Sequence, residues 1–479
     1  MTTAGAQGMR QGDDPRQVPF LESARLASLA ALSRTELEAL QLQKLRRQLQ
    51  RLYRTSTYYR RRMDEGRIDP EALTSLDQFF EHFPLSTKGA FLADQTEHPP
   101  FGERLGIARE AVALVNMTGG TSGQGQEIYG RSQHDVHMQG YMHALPWFLA
   151  GLRAGDLAIN CVPAGGLTTG GWGPGEGLRI IGATAFHVGG STSTEAKIDL
   201  MLKIGEVNFI YASTNYLHTL TEALVRRGLE PARAFPTLRT LFIAAEGYPI
   251  EWAQRIEALW GCRLQEGYGS TQCAGFGAST CADGALSASG GRGLMSLFEW
   301  ETLCEVLDPV TLKPVASGEM GELVVTNLSI EGSPVIRFRT GDAVRFVSHR
   351  DAASGRAWNA IECGTIGRFD DMMKIRGNNV WPSAIDAAVF SHGEIVEYAG
   401  RVYTSADGKT EVEVRLALSE AIASSGPEAC SRLVEAVRTS IKERTNVWMT
   451  AVLCARSELP EFSYKARRWK DERQQGYRL

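Results

Sequence analysis

The chain has 479 residues, of which 43% are hydrophobic and 22% charged, an ordinary globular mixture that excludes a disordered or fibrous protein. Fifty-one Lys and Arg against 55 Asp and Glu leave a net charge of −4, without the basic excess that coating nucleic acid or an anionic membrane requires. At about three times the usual domain length, two or more folding units are expected.

Residues 1–20 are polar and rich in Gly, Gln and Asp, so they read as a disordered lead without the apolar core of a secretory signal. Ser33–Met63 reads as helical, with Ser33 as N-cap, Glu36 three residues on, and Leu37, Leu40, Leu42, Leu45, Leu49 and Leu52 at helical spacing. From about residue 110, short apolar runs (Ala111–Met117, Leu157–Val162, Thr184–Val188, Phe209–Tyr211, Thr240–Ala244) alternate with amphipathic stretches (Glu195–Ile204, Tyr216–Arg227, Trp252–Trp260). Strands alternating with helices indicate an α/β arrangement with mostly parallel sheets. After Glu299 the pattern turns β-rich: Glu319–Thr326 alternates, Val335–Arg339 and Ala343–Val347 read as neighbouring strands, and Ser348–Glu362 reads as a polar loop. Past Asp370, strands Glu411–Leu416 and Thr450–Cys454 and helix Glu428–Glu443 suffice for a small α+β domain.

No apolar run reaches the ~18–20 residues that cross a bilayer; the most apolar stretch, Tyr141–Leu152, is interrupted by His143 and Pro146. The 8 cysteines are scattered and form no CxxC pair, which fits a reducing cytoplasm better than a disulfide framework. The 50 glycines exceed the typical ~7% and cluster in short groups. Such clusters mark tight turns or backbone that approaches a ligand closely.

Five segments carry chemistry. Thr118-Gly-Gly-Thr-Ser-Gly123 follows an apolar run, and a loop of this kind can wrap polyphosphate with backbone N–H groups and short hydroxyls. It lacks the Lys-Ser/Thr pair of a P-loop, and a flexible surface loop explains it as well. Glu266-Gly-Tyr-Gly-Ser-Thr-Gln272 offers Tyr268 as a stacking face and Thr271 as a hydroxyl; a strand-end turn with a packed Tyr is the bland alternative. In Arg337-Phe-Arg-Thr-Gly-Asp342, a carboxylate after a Gly turn can accept two hydrogen bonds from a ribose diol, though Asp before a strand is also ordinary turn chemistry. Gly367–Asp386 packs Arg368, Asp370, Asp371, Lys374, Arg376 and Gly377 together, as suits a hinge. Lys465, in Leu459–Arg468, could bring a cation to a reacting carboxylate and phosphate, although a basic C-terminal run is more often solvated surface.

Taken in this order, the five segments resemble the adenylate-forming superfamily of acyl-CoA synthetases, and in detail its phenylacetate-CoA ligase-like branch. Arg54-Thr-Ser-Thr-Tyr-Tyr-Arg60 resembles the end of that branch's N-terminal helix, Gly165–Val188 its substrate-side glycine segment, and Ala244-Ala-Glu-Gly247 its nucleotide-side loop. The resemblance spans roughly residues 30–475. It implies a large adenylating domain over 21–369, with mostly parallel sheets plus a β-subdomain, and a small mobile α+β domain over 370–479.

The activity so implied is attack of a carboxylic acid on the α-phosphate of Mg-ATP, giving an acyl-adenylate and pyrophosphate, then transfer to a thiol, commonly that of coenzyme A. Thr118, Gly119, Gly120, Thr121, Ser122 and Gly123 would hold the β- and γ-phosphates, and Glu246, Gly247, Tyr268 and Gly269 would surround the nucleotide. Thr271 would lie near the α-phosphate, Asp342 on the ribose with Arg368 beside it, and Lys465 between acid and α-phosphate. Asp370 would be the hinge. Trp172 and Tyr216 lie in segments that line the acid site in relatives and suit an aromatic acid, although both also read as core residues.

Four positions depart from the family pattern. Gln124-Gly125 stands where Lys/Arg-Pro is usual, Gln272 where a Mg²⁺-contacting Glu is usual, and Tyr464 where Gly precedes the late lysine. Many relatives also carry a Cys/His zinc cluster. Here Cys281 and Cys363 occupy comparable places without the companion ligands, though Cys273 could substitute, and this argues against a four-ligand zinc site. The implied partners are a small-molecule acid and coenzyme A; a carrier protein as acceptor and a homodimer remain open, and neither nucleic acid nor membrane is expected. Three alternatives stay beside the leading one: a diazotase-like enzyme that activates nitrite for an aryl amine, an aryl acid ligase that loads a carrier protein, and a silent nucleotide-binding protein.

Overall fold

The computed structural model describes residues 21–118, 125–190, 192–244, 246–281, 283–352, 356–376, 378–405, 408–460 and 468–473. The chain opens with helices α1 (Ser23–Ala30), α2 (Arg34–Thr55), α3 (Thr57–Glu65), α4 (Leu76–His82) and α5 (Lys88–Glu97). The expected helical stretch Ser33–Met63 is made of two helices, α2 and α3. Ser33 caps α2 with a full capping box, but Ser56 is extended and its side chain accepts from the Tyr59 N–H, starting α3. A serine that satisfies the next helix's free N–H groups ends the previous helix as surely as proline does.

A hairpin of β1 (Leu114–Met117) and β2 (Ile128–Arg131) follows, so only the end of the run Ala111–Met117 is strand. Then come α6 (Gln133–Leu149), β3 (Leu157–Asn160), α7 (Thr169–Ile181), β4 (Thr184–His187), α8 (Thr194–Ile204), β5 (Phe209–Ser213), α9 (Thr214–Arg226), α10 (Pro231–Ala234), β6 (Thr240–Ala244), α11 (Ile250–Trp260) and β7 (Arg263–Ser270). Strands β4-β3-β5-β6-β7 lie side by side and parallel. Strand β5 is buried along its whole length, and β6 likewise, as strands covered by helices on both faces must be.

Beyond β7 the same 12-stranded sheet continues antiparallel through β8 (Gly275–Thr280), β9 (Leu294–Leu297), β13 (Ala360–Glu362), β12 (Phe338–Val347), β11 (Met320–Asn327) and β10 (Thr302–Leu307), with β14 (Gly367–Arg368) paired to β12. The sheet therefore joins a parallel α/β half to the expected β-subdomain. Two local expectations fail here. Val335–Arg339 and Ala343–Val347 are not separate strands: β12 runs unbroken from Phe338 to Val347 with Gly341 at φ 74°, opposite an irregularity between Glu322 and Val324. The glycine lets the strand absorb a bulge where a turn was expected. The end of the supposed loop Ser348–Glu362 is β13, sandwiched between β12 and β9.

Two cores flank this sheet. One holds Leu45, Tyr59, Ile198, Tyr216, Leu241 and Ile361; the other holds Tyr141, Trp147, Tyr211, Phe242 and Phe276. A third core draws only on residues from Met373 onward. It belongs to hairpin β15 (Met373–Ile375) and β16 (Asn378–Val380), helices α12 (Pro382–Val389), α13 (Glu420–Ala423) and α14 (Pro427–Thr445), and strands β17 (Ile395–Thr404), β18 (Thr410–Leu418), β19 (Thr450–Leu453) and β20 (Trp469–Asp471). The last four strands form a sheet in the order β19-β18-β17-β20. No helix among the described residues is long and apolar enough to cross a membrane.

Candidate active site

Strand β7 reaches β12 through a side chain, β14 pairs with β12, and here three of the singled-out segments meet. Tyr268, on β7, is 4% exposed, and its hydroxyl donates to Asp342 Oδ2 at 2.7 Å. Burial pushes this phenol far above its ordinary range, with Asp342 adding to the effect, so it stays protonated and donates. Arg368 donates to the other carboxylate oxygen at 2.9 Å from β14, whose register sets Arg368 opposite Asp342. The Thr340 hydroxyl accepts from the Asp342 N–H at 3.0 Å. Asp342 thus sits inside a strand rather than in a turn before one, held between a phenol and a guanidinium.

The two arginines ahead of it serve the scaffold. Arg337 makes a two-pronged contact with Glu305 at 2.6 and 2.9 Å and donates to the carbonyls of Phe80 and Phe83. Arg339 pairs with Glu322, whose Oε1 also accepts from the Gly341 N–H at 3.0 Å. Glu322 is buried and Glu305 nearly so, and both fix the irregular backbone that carries Asp342.

The turn after β7 is tied to the base of the glycine loop. Thr118 and Glu127 close the β1–β2 hairpin by exchanging hydrogen bonds at 3.0 and 3.1 Å, while Gly119, Gly120, Thr121, Ser122, Gly123 and Gln124 lie outside the described residues. Glu127, 2% exposed, accepts from Tyr129 at 2.8 Å and from Gln272 Nε2 at 3.3 Å. Arg131 of β2 donates to the Thr271 carbonyl at 2.6 Å, and Asn327 donates to that of Gln272 at 3.0 Å. The loop base, Thr271, Gln272, Tyr268, Asp342 and Arg368 therefore form one connected neighbourhood. Glu127 carries no sequence signal of its own; only its contact with Gln272 reveals it.

Glycines are required where backbones crowd. A Cβ on Gly247 would stand 2.9 Å from the Ile366 carbonyl oxygen, and one on Gly269 would stand 2.8 Å from that of Gly275. The segment after β6 is thereby pressed against the one leading into β14. Glu246 accepts from the Asn215 N–H at 3.1 Å, linking this segment to α9. Beneath it, buried Glu266 accepts from the Tyr248 hydroxyl at 2.5 Å and the Gly364 N–H at 2.9 Å. Burial pushes its carboxyl up to about 7, against the opposing pull of those hydrogen bonds.

The expected pocket aromatics part company. Trp172, in the first turn of α7, is 49% exposed and donates to the Gly166 carbonyl at 2.6 Å, so it is not a core residue. Tyr216, in the first turn of α9, is buried, and its hydroxyl donates to Thr194 at 3.3 Å.

Among the described residues, Cys281 and Cys363 belong to no cluster of ligand-type side chains. Cys281 lies against Ser296 and Arg356, and Cys363 against Glu266. Among the described residues, the group of three ligand-type side chains within 4.8 Å of one another is Asp94, His98 and Glu103. There Asp94 already accepts the N–H groups of Glu103 and Arg104, and Glu103 pairs with Arg61 at 2.6 Å, so the group braces a loop.

Lys465 and Tyr464 lie outside the described residues, but Arg468 does not. Expected to be part of a solvated basic run, it is mostly withdrawn from solvent, its side chain 12% exposed. It pairs with Glu397 at 2.7 Å, faces the ring of Phe390 at 5.0 Å, and donates to Asn215 Oδ1 at 3.1 Å. The chain just after Lys465 is thus fastened one residue from Tyr216, beside Glu246. Asp370 lies in the single 3₁₀ turn Phe369–Asp371 between β14 and β15. Gly377 is outside the described residues.

Comparisons with known proteins agree with this geometry. Residues 178–330 match the model of the AMP-binding enzyme family, and residues 377–473 that of the AMP-binding enzyme C-terminal domain. The phenylacetate-coenzyme A ligase of Thermus thermophilus is 28% identical over 82% of this chain and 84% of its own length. That of Pseudomonas putida is 29% identical over 83% and 84%. Among solved structures, a 2-hydroxyisobutyryl-CoA ligase in its postadenylation state overlays with a TM-score of 0.82 at 23% identity, covering 93% of this chain and 92% of that one. With the order of the motifs, the clustering around Asp342 and relatives matched over most of their length, the chain belongs to the adenylate-forming, AMP-binding enzymes, on their phenylacetate-CoA ligase-like branch.

Proposed function

We propose that the protein joins an aromatic or arylalkyl carboxylic acid to coenzyme A in two steps, through an acyl-adenylate. The observation that carries this reading is the Tyr268–Asp342–Arg368 cluster, linked by the turn at Thr271 and Gln272 to the base of the glycine loop. Polyphosphate, α-phosphate and ribose would lie in that order along one connected surface. In the first step a carboxylate oxygen attacks the α-phosphorus, the bond to the bridging oxygen of the β-phosphate breaks, and pyrophosphate leaves. Next, the thiol sulfur attacks the acyl carbon, AMP departs, and the thiol proton passes to solvent.

Two anions must meet in the first step, so the protein's task is alignment and opposing charge. Thr118 with the glycine loop would grip the outer phosphates, Asp342 the ribose hydroxyls, and Lys465 the acid and α-phosphate together. Arg368, placed by its strand pairing, would orient Asp342. Asp370 would be the point about which residues 370–479 turn, exchanging Lys465 for the Gly377 segment. The donor set suits Mg²⁺: Gln272 lacks a charge, but the carboxylate of Glu127 stands beside it, and hard oxygen ligands are what this ion takes. When bound, Mg²⁺ would neutralise charge on the outer phosphates.

Acid-dependent exchange of radiolabelled pyrophosphate into ATP tests the first step, and CoA-thioester formation tests the second. Exchange with aryl or arylalkyl acids, followed by thioester, is expected. Exchange with none of them, or AMP release with nitrite alone, would overturn the reading.

A further inference from the structure

Lys197 has the burial of a core residue and the chemistry of a ligand group. It lies on α8, only 4% exposed, with its ammonium 4.2 Å from the centre of the Tyr216 ring. Among the described residues it makes no ion pair, and its side chain has no hydrogen bond. Lysine is almost never buried this far without a partner, because removing an ammonium from water is costly. A ring face offsets only part of that cost. The acids on its own helix are no help: Glu195 and Asp199 sit two residues away on either side and both pair with Arg227. Its other neighbour is Cys161, a buried thiol pushed up to about 12, which brings no negative charge.

The position is telling. Cys161 follows the C-terminal end of β3, and Tyr216 stands just past that of the adjacent β5. In open parallel sheets, ligands bind outside the carboxyl ends of the strands. The nucleotide cluster starts at β7, two strands from β5 across β6. Two inter-strand spacings amount to about 10 Å, a span suited to an arylalkyl acid with its reacting carboxyl at the β6–β7 end.

We propose that Lys197 binds the distal end of the acyl substrate, and that this end carries a second anionic oxygen group, a carboxylate or a phenolate. The inference rests on the proposed adenylation of an arylalkyl acid and names the substrate class within it. A bound oxyanion supplies the partner that the described residues do not, and the Tyr216 ring faces the ammonium meanwhile. Burial also pulls the lysine's proton affinity below its ordinary value, a deficit that a bound anion would reverse.

The test is pyrophosphate exchange at pH 8 with phenylacetate, 4-carboxyphenylacetate and 4-hydroxyphenylacetate, using wild type, Lys197→Met and Lys197→Arg. Wild type should favour one of the para-substituted acids over phenylacetate in kcat/KM, and the favoured one identifies the group. In Lys197→Met that preference should fall about tenfold or more, chiefly through KM, and Lys197→Arg should restore part of it. The unliganded Lys197→Met variant should melt no lower than wild type, since a buried charge without a partner has been removed. An active enzyme with the same preference in wild type and Lys197→Met, or a Met variant that simply loses stability with its preference intact, overturns the inference alone. Absence of exchange with every acid overturns the proposed function, and this inference falls with it.

Discussion

The proposed nucleotide side and the proposed acid side of this site treat charge in opposite ways. Around the proposed nucleotide position the described carboxylates meet protein partners: Asp342 has Tyr268 and Arg368, and Glu127 has Tyr129 and Gln272. On the acid side Lys197 meets only a ring and a thiol among the described residues. A ligand that never changes can be met by groups fixed beforehand in mutual contact, which need no rearrangement when it arrives. A ligand that must be chosen is better met by a group left unsatisfied, because the wrong ligand then leaves that cost in place. On the proposed role of Lys197, stability given up there would become discrimination.

Four further substitutions would break or sharpen this contrast, beginning with the largest effect. Lys465→Ala should lower the adenylation rate by about 10²–10³, while ATP affinity by calorimetry falls far less; equal losses in both would make this lysine a binding group. Asp342→Asn should weaken ATP binding about tenfold or more and leave the ranking of acids unchanged. A changed ranking would mean that the two sides are not independent. Asn215→Ala removes the acceptor that fastens Arg468, and should slow adenylation roughly fivefold. Thioester formation from supplied acyl-adenylate should keep its rate, so equal slowing of both half-reactions would show general damage.

The smallest effect is expected at Glu266→Gln. Glu266 keeps its proton up to about pH 7 when folded, against 4.5 as its ordinary value. Between those pH values the unfolded chain has lost a proton that the native protein retains, so stability declines as pH rises through the window and levels off above it. The neutral variant should flatten that slope in melting temperatures taken from pH 4.5 to 8. A slope unchanged by the substitution would assign the titration to another group.

Much of the nucleotide side could be read from the sequence because its groups lie in short contiguous stretches whose order is itself informative. Tyr268, Asp342 and Arg368 stand out in three separate stretches, and their side chains meet. What the sequence misjudged was the backbone around Asp342, since Gly341 reads as a turn while its φ of 74° is absorbed in a continuous strand held by Arg339 and Glu322. Glu127 and Lys197 were invisible for a common reason. Each gains its meaning from residues far along the chain, Gln272 for one and Tyr216 with Cys161 for the other. Arg468 was seen but misread: nothing local distinguishes a solvated arginine from one clasped by Glu397 and Phe390. The scattered cysteines were legible only as lacking companions, and their actual neighbours, Glu266, Ser296 and Arg356, have no fixed spacing from them.

The two-residue strand β14 has a mechanical consequence. Its ladder with β12 clamps the polypeptide to the large sheet as far as Arg368, and an independent core begins at Met373. Any swing of the later portion must therefore be taken up as torsion in Phe369–Met372, a stretch too short to let the two parts drift apart. Such a tether would convert loose diffusion into rotation along a fixed arc, with Arg468 and Asn215 acting as the stop at one end of the travel.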